Sequence, residues 1–237
     1  MFGQSSHRRR KGKSEGERPF WISYADLMTA MMVLFLSAMA VTIAAITRKV
    51  KGPEEQRSAE IRDICTNIKQ QLTGVSNLAV DCVNNRISFG AAGHFATNEY
   101  RLPPEADTAL AKMVPVVLDA ADSPLGHKWM KQVVVEGYTD TVGGYLYNLH
   151  LSLQRSEWMM CLLMDPRKNA ELRLSPVQLQ RVRQLFLAGG VSFNNQQATA
   201  DESRRVELRL DFYGLNKDKH RDAEPLSGTA PKDACQL

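Results

Sequence analysis

Phe20-Trp21-Ile22-Ser23-Tyr24-Ala25-Asp26-Leu27-Met28-Thr29-Ala30-Met31-Met32 opens an apolar block that runs on to Ile46. From position 27 to position 46 no residue carries a formal charge, and only Thr29, Ser37 and Thr42 are polar. Twenty helical residues rise about 30 Å, the depth of a bilayer's hydrocarbon core. Phe20, Trp21 and Tyr24 stand at its start, where aromatic rings favour the headgroup interface. Arg8, Arg9, Arg10, Lys11, Lys13 and Arg18 precede the block, and Arg48, Lys49 and Lys51 follow it. This asymmetry predicts a basic cytoplasmic tail over 1–19, a transmembrane helix over 20–47 and an exported remainder. A cleaved signal peptide is the rival, since Ala38-Met39-Ala40 has a small-x-small pattern. The apolar run continues six residues past that site and has an acid at its start, which argues for an anchor. Either way the following region is extracytoplasmic.

Outward from this block, a chain of 237 residues supports one further domain of ordinary size plus appendages. With 43% hydrophobic and 24% charged residues it is neither collagenous, low-complexity nor wholly disordered. The net charge of +4 is concentrated at the start and points to no nucleic-acid surface. Four cysteines are too few for a disulfide-built mini-protein.

Asp26 is the residue that matters most in the apolar block. It lies one turn inside Trp21, where a carboxylate costs several kcal/mol unless it meets water, an ion or a partner. At 100° per residue Asp26, Ala30, Val33, Ser37, Ala40 and Ala44 project within an arc of about 80°. Small residues dominate that stripe, which suits close packing against other membrane helices. Tyr24, Thr29, Ala30, Val33 and Ser37 are the candidate lining of an ion path through Asp26. Dehydration raises a carboxyl's pKa, so such a group can alternate between its two protonation states. The alternative is an interfacial Asp26 that only caps the helix.

Residues 48–75 read as a charged linker, broken at Gly52-Pro53, and a juxtamembrane helix carrying Ile61, Ile64, Cys65, Ile68 and Leu72. Leu78, Val80 and Cys82 alternate before Asn84-Asn85, and Ile87 and Phe89 after it, which predicts a β-hairpin. A helix is expected over 103–120 behind Pro103-Pro104, a buried strand at Val133-Val134-Val135, and a helix from Tyr145 to about Met164. Another helix over 175–188, closed by Gly189-Gly190, and an alternating strand from Arg205 to Phe212 complete the domain. The pattern predicts an α/β (α+β) sandwich over 76–213, with a polar tail over 214–237.

The densest chemistry lies in Gly137-Tyr138-Thr139-Asp140 and in Asn148, Leu151, Ser152 and Arg155. The first run ends a strand in a glycine-containing turn, and the others share one stripe of the next helix. Leu149, Leu153, Met160 and Met164 form a neighbouring stripe that is expected to face the core. A carboxylate and a guanidinium on one cleft can hold a zwitterion, Asp140 taking the ammonium and Arg155 forking onto the carboxylate. An internal Asp140–Arg155 salt bridge pinning strand to helix explains the same spacing.

Two resemblances attach to these residues. The run from Phe20 to Met32, behind a basic tail, resembles the transmembrane helix of MotB-type stator subunits, the ion-channel and anchor subunits of bacterial rotary motors. That resemblance implies that Asp26 carries the translocated ion. Gly137 to Asp140, Asn148 to Arg155 and Arg204-Arg205-Val206-Glu207, in that order, resemble the OmpA-like peptidoglycan-binding domain. It implies a βαβ-type sandwich in which Asp140 and Arg155 clasp diaminopimelate, with Asn148, Leu151, Tyr147 and Arg205 as lining. Ser156 departs from the alanine that commonly follows the arginine. The short linker and the wording of both motifs look more like the MotB-like subunit of the Zorya anti-phage defence system than a flagellar stator.

The resemblance further implies a homodimer of this chain inside a ring of a MotA-like polytopic membrane subunit, five copies around two. It also implies an inner-membrane location with the C-terminal domain in the periplasm, bound to peptidoglycan. The translocated ion is expected to be a proton, with sodium as the alternative. Cys65 and Cys82 are the candidate disulfide, worth about 3 kcal/mol, with Cys235 as a competing partner and Cys161 read as a core residue. No metal-ligand spacing, phosphate loop or nucleophile–base pair is present, so no metal, cofactor or enzymatic activity is expected. A passive wall anchor remains the reading from a different class.

Overall fold

A computed structural model of the chain describes residues 18–215 and 235–237, so most of the basic tail and most of the polar tail lie outside the described residues. The chain divides into two compact units, Met1–Pro53 and Glu54–Leu237. Helix α1 (Arg18–Gln71) contributes residues 18–53 to the first and 54–71 to the second.

In the first unit α1 is the one helix among the described residues that is long and apolar enough to cross a membrane. Leu27, Met31, Leu34, Phe35, Met39 and Ile43 are all exposed, an apolar surface that water does not tolerate at this size. Thr29 Oγ1 donates to the carbonyls of Ala25 and Asp26 at 3.0 and 2.9 Å, and Ser37 Oγ donates to the Val33 carbonyl. These hydroxyls thereby satisfy themselves on their own helix, as polar groups in an apolar surround must.

The charged linker expected at the start of 48–75 departs from the structure in one respect. Gly52 and Pro53 lie inside α1 rather than breaking it, although the division between units falls at Pro53. Proline removes a donor and crowds the carbonyl four residues back, but neither effect requires the helix to end.

The second unit is built on a five-stranded sheet of β1 (Ala79–Asp81), β2 (Arg86–Ser88), β3 (Met130–Gly137), β4 (Phe186–Gly190) and β5 (Val206–Phe212), in the order β1-β2-β5-β3-β4. All neighbours are antiparallel except β3 and β4. Asn85 turns the β1–β2 hairpin with a φ of +53°, a conformation asparagine tolerates. The helices are α2 (Glu105–Asp122), α3 (Pro124–Trp129), α4 (Tyr145–Met164), α5 (Pro176–Leu185) and α6 (Ala200–Ser203). Ser123 caps α3 through the Gly126 amide at 3.0 Å, and Ser175 with Gln178 and Thr199 with Glu202 form capping boxes.

Alternation divides the sheet's two faces. Ile87, Val133, Val135, Val206, Leu208 and Leu210 are buried against α2 and the 54–71 segment of α1, where Ile61, Ile64 and Ile68 sit. The opposite face carries an ion ladder: Arg86 to Glu136 and Glu207 at 2.7 and 2.8 Å, and Arg209 to Glu136 at 2.7 Å.

Three expectations are corrected. The helix expected over 175–188 ends at Leu185, and Phe186–Gly190 is strand β4. Gly189 and Gly190 therefore pair with Glu136 and Gly137 rather than closing a helix. On α4 the buried face is mixed: Asn148, Ser152 and Arg155 are buried along with Leu151, Met159 and Leu162, while Leu153 is exposed and Leu149, Met160 and Met164 are half-buried. Cys161 is not a free core residue, because it is bridged to Cys235, while Cys65 is bridged to Cys82 as expected.

Candidate functional site

The C-terminal ends of β3 and β4 lie beside the start of antiparallel β5, and the residues flanking these ends build the floor of the site. The amides of Tyr138, Thr139 and Val191 donate to the carbonyls of Arg205, Ser192 and Gly137 at 2.9, 3.0 and 3.0 Å. Helix α4 crosses this floor closely. A Cβ on Gly137 would stand 2.1 Å from the Ser152 carbonyl oxygen, so only glycine permits the approach.

Asp140 follows β3 and shapes the next loop. Its Oδ1 accepts from the Val142 amide at 3.0 Å, and Gly143 adopts a φ of +97°. Asn148 Nδ2 donates to the carbonyls of Val142 and Gly144 at 2.9 and 3.3 Å, tying the loop to the start of α4. The other carboxylate oxygen of Asp140, Oδ2, accepts from Arg204 Nη1 at 2.9 Å. The partner of Asp140 is therefore Arg204, and the Asp140–Arg155 salt bridge is not formed.

Arg155 is fully buried. It donates from Nε to Glu99 O at 2.9 Å, from Nη1 to Tyr138 O at 2.6 Å and from Nη2 to Ala96 O at 3.4 Å, with its guanidinium 4.6 Å from the Phe95 ring centre. Burial lowers its pKa to about 10, against the charge of Asp140, which favours the cation. It stays charged at neutral pH and lends the site a positive potential.

Of the remaining predicted residues, Leu151 is buried beside Asn148 and Ser152, while Tyr147 is exposed, with its ring next to Gly143. Arg205 lies 4.1 Å from the centre of the Tyr138 ring and donates to Glu207 at 2.7 Å. Its Nη2 and the hydroxyl of Thr139 are buried without a hydrogen-bond partner. Burial and the Glu136 carboxylate push the Tyr138 hydroxyl up to about 12. Arg204 belongs to the Arg204-Arg205-Val206-Glu207 motif, but sequence reasoning gave it no role in the site. It precedes β5, so strand alternation does not place it.

On α1 helical spacing puts Asp26, Ala30, Val33 and Ser37 on one face. Tyr24 lies two positions earlier, about 160° round the helix from Asp26. Among the described residues no group of His, Cys, Asp and Glu is placed to hold a metal ion.

Across its whole length the chain is 48% identical, over 243 residues, to the Zorya protein ZorB of Escherichia coli O139:H28, and covers 98% of that relative. The chain belongs to the ZorB family. In this ZorB-family chain residues 5–45 also match the family described as membrane MotB of the proton-channel complex MotA/MotB. The second unit is similar to solved structures at low identity. The periplasmic domain of MotB is 11% identical, with 55% of this chain and 65% of that one covered and a TM-score of 0.37. The peptidoglycan-associated lipoprotein from Burkholderia pseudomallei is 16% identical, with 51% and 88% covered and a TM-score of 0.33.

Proposed function

We propose that this chain is the wall-anchored subunit of an ion-driven rotary motor in the bacterial inner membrane, serving Zorya anti-phage defence. The observation that carries the reading is the full-length 48% identity to a Zorya protein ZorB, which favours defence over a flagellar stator. The match of residues 5–45 to the membrane MotB family supports an ion-conducting role for the helix that holds Asp26.

The physical argument runs through one carboxyl. Ionised in an apolar surround, Asp26 costs several kcal/mol and binds tightly to any cationic or polar group on a neighbouring helix. Protonated, it loses that attraction and releases. Proton entry and exit thus alternate two contact states between α1 and a polytopic MotA-like partner, and the alternation moves the partner. The stripe of Ala30, Val33 and Ala40 lets a partner helix approach to backbone distance. One such helix cannot enclose a channel, so the reading includes two copies of this chain inside a ring of five partner subunits.

Motion becomes work only against a fixed point. The second unit supplies it by gripping peptidoglycan at the Asp140 cleft, with the N-terminus cytoplasmic and the cleft in the periplasm. Asp140 receives the ammonium of diaminopimelate, the positive potential of the buried Arg155 favours its carboxylate, and Asn148, Leu151, Tyr147 and Arg205 complete the walls.

Asp26→Asn tests the motor. It keeps the shape and removes the titration, so phage protection should vanish while protein accumulation stays normal. Undiminished protection at normal protein levels leaves a passive anchor. Retention of the wild-type chain by purified sacculi tests the wall contact, and no retention rejects it.

A further inference from the structure

We propose that the groove between the 54–71 segment of α1, the turn of the β1–β2 hairpin and the end of β5 binds a phosphate group carrying a small polar body of the phosphoglycerol kind. The groove encloses about 440 Å³ and shares no residue with the Asp140 cleft.

Its walls are fixed before any ligand arrives. Cys65 on α1 is bridged to Cys82 in the hairpin turn. The Leu210 amide donates to the Asn85 carbonyl at 2.9 Å, which ties that turn to β5. Arg57 Nε donates to the Tyr213 carbonyl at 2.7 Å, which ties α1 to the chain just past β5. Buried Ile61 and Leu210 stand behind the polar lining. A site held open in this way loses little affinity to ordering itself.

Three guanidiniums line the groove against one carboxylate. That carboxylate, Asp211, accepts from Arg209 Nη1 and, at 3.0 Å, from Gln132 Nε2. Arg209 is also held by Glu136 at 2.7 Å, so it serves as wall rather than as a free cation. Arg57 meets Glu54 at 3.0 Å, but the Glu54 side chain is 51% exposed, and such a pair is weak in water. Arg62 is exposed and has no ion-pair or hydrogen-bond partner among the described residues. The uncompensated charge selects an anion, and a guanidinium fork matches the oxygens of a phosphate. Ser58, Asn84 and Asn85 add a hydroxyl and two amides to the lining, which suit hydroxyls on the ligand's body.

Two sources carry this chemistry: the headgroup of an anionic phospholipid and a soluble glycerol phosphate. Under the membrane reading of the apolar run, the stretch from Ile46 to Arg57 keeps the groove within about 40 Å of the headgroups even when fully extended.

The test follows thermal unfolding of the full chain in an uncharged detergent. The probes are short-chain phosphatidylglycerol, short-chain phosphatidylcholine and glycerol 3-phosphate. Phosphatidylglycerol should raise the Tm of wild type to a saturating value, and phosphatidylcholine, whose ammonium the groove repels, should raise it far less. Arg62→Gln removes an exposed cation and no internal contact. Without a probe it should unfold like wild type, and it should bind phosphatidylglycerol about tenfold more weakly. Ser58→Glu, which sets a carboxylate four residues before Arg62, should weaken binding similarly, and Arg62→Lys should keep part of the affinity. A matching response to glycerol 3-phosphate supports the site with a soluble ligand, and a response to the lipid alone supports it with a headgroup. An Arg62→Gln variant that responds to the probes as wild type does, or a wild type that responds to neither anion, overturns the proposal.

Discussion

The Nη1 of Arg155 donates to the carbonyl oxygen of Tyr138 across 2.6 Å, so the middle of α4 is bolted to the end of β3 through a buried cation. Two further bonds reach Glu99 and Ala96. A residue of similar length without donors leaves the buried Tyr138 carbonyl short of a partner and frees the 96–99 segment from α4, partly offset by sparing the desolvation of the charge. Arg155→Met should therefore lose about 3 kcal/mol of stability in urea unfolding followed by tryptophan fluorescence. Arg204→Gln, which takes the cation from the buried Asp140 carboxylate but keeps one donor, should lose about 2 kcal/mol in the same measurement.

The contact between Gly137 and Ser152 sets how closely helix and strand approach. An alanine Cβ would stand 2.1 Å from the Ser152 carbonyl oxygen, and backbone cannot yield as a side-chain tip can. Gly137→Ala should destabilise by about 2 kcal/mol and lower the Tm by about 6 °C. Gly144→Ala is the matched control. A Cβ there meets nothing within 4 Å, and its Tm should stay within about 1 °C of wild type.

What the sequence revealed follows the strength of local signals. The apolar run Val133-Val134-Val135 marks β3, and Val206, Leu208 and Leu210 alternate with Glu207 and Arg209 along β5, so both strands were legible. Tyr145–Met164 was legible from its uninterrupted helical sequence, but not its orientation. Periodicity assigns an apolar stripe to the core, whereas Asn148, Ser152 and Arg155 face inward because backbone carbonyls and amides are there to satisfy them. Strand β4 was hidden because Phe186-Leu187-Ala188-Gly189-Gly190 has few β-branched residues and gains its strand partners only from β3. Asp140, Asn148 and Arg155 were found as a group, yet which guanidinium pairs with Asp140 depends on a contact 64 residues away in sequence. Spacing cannot supply that.

Asp165 links the end of α4 to the last residues of the chain. Its carboxylate accepts from the Arg167 side chain, from the Arg167 amide and from the Cys235 amide. The Arg167 side chain, foremost among these partners, holds its pKa well below the usual carboxylate range. A depressed carboxyl contributes stability that is complete above its unfolded value of about 4 and is lost as pH falls toward its folded one. Stability should therefore fall between about pH 4 and pH 2, and Asp165→Asn should flatten that limb while changing little of its slope near neutrality. Unfolding midpoints across this range check it, and an unchanged acid limb in the variant refutes the assignment.

Two disulfides close loops of different length, and length ranks their effects. Cys65–Cys82 spans 17 residues and Cys161–Cys235 spans 74. Restriction of the unfolded chain gives about 3 kcal/mol for the first and about 4 kcal/mol for the second. The longer bridge also holds Cys235 and Leu237 against the core, with Lys168 Nζ donating to Leu237 O at 3.4 Å. Replacing both Cys161 and Cys235 by alanine should thus cost more than replacing both Cys65 and Cys82. Residue 235 should then become open to carboxypeptidase digestion, while 65 and 82 stay fixed by Ile64 and Ile68 in the core. Equal losses of stability in the two double variants would mean that native packing of the last residues, rather than chain restriction, decides the ranking.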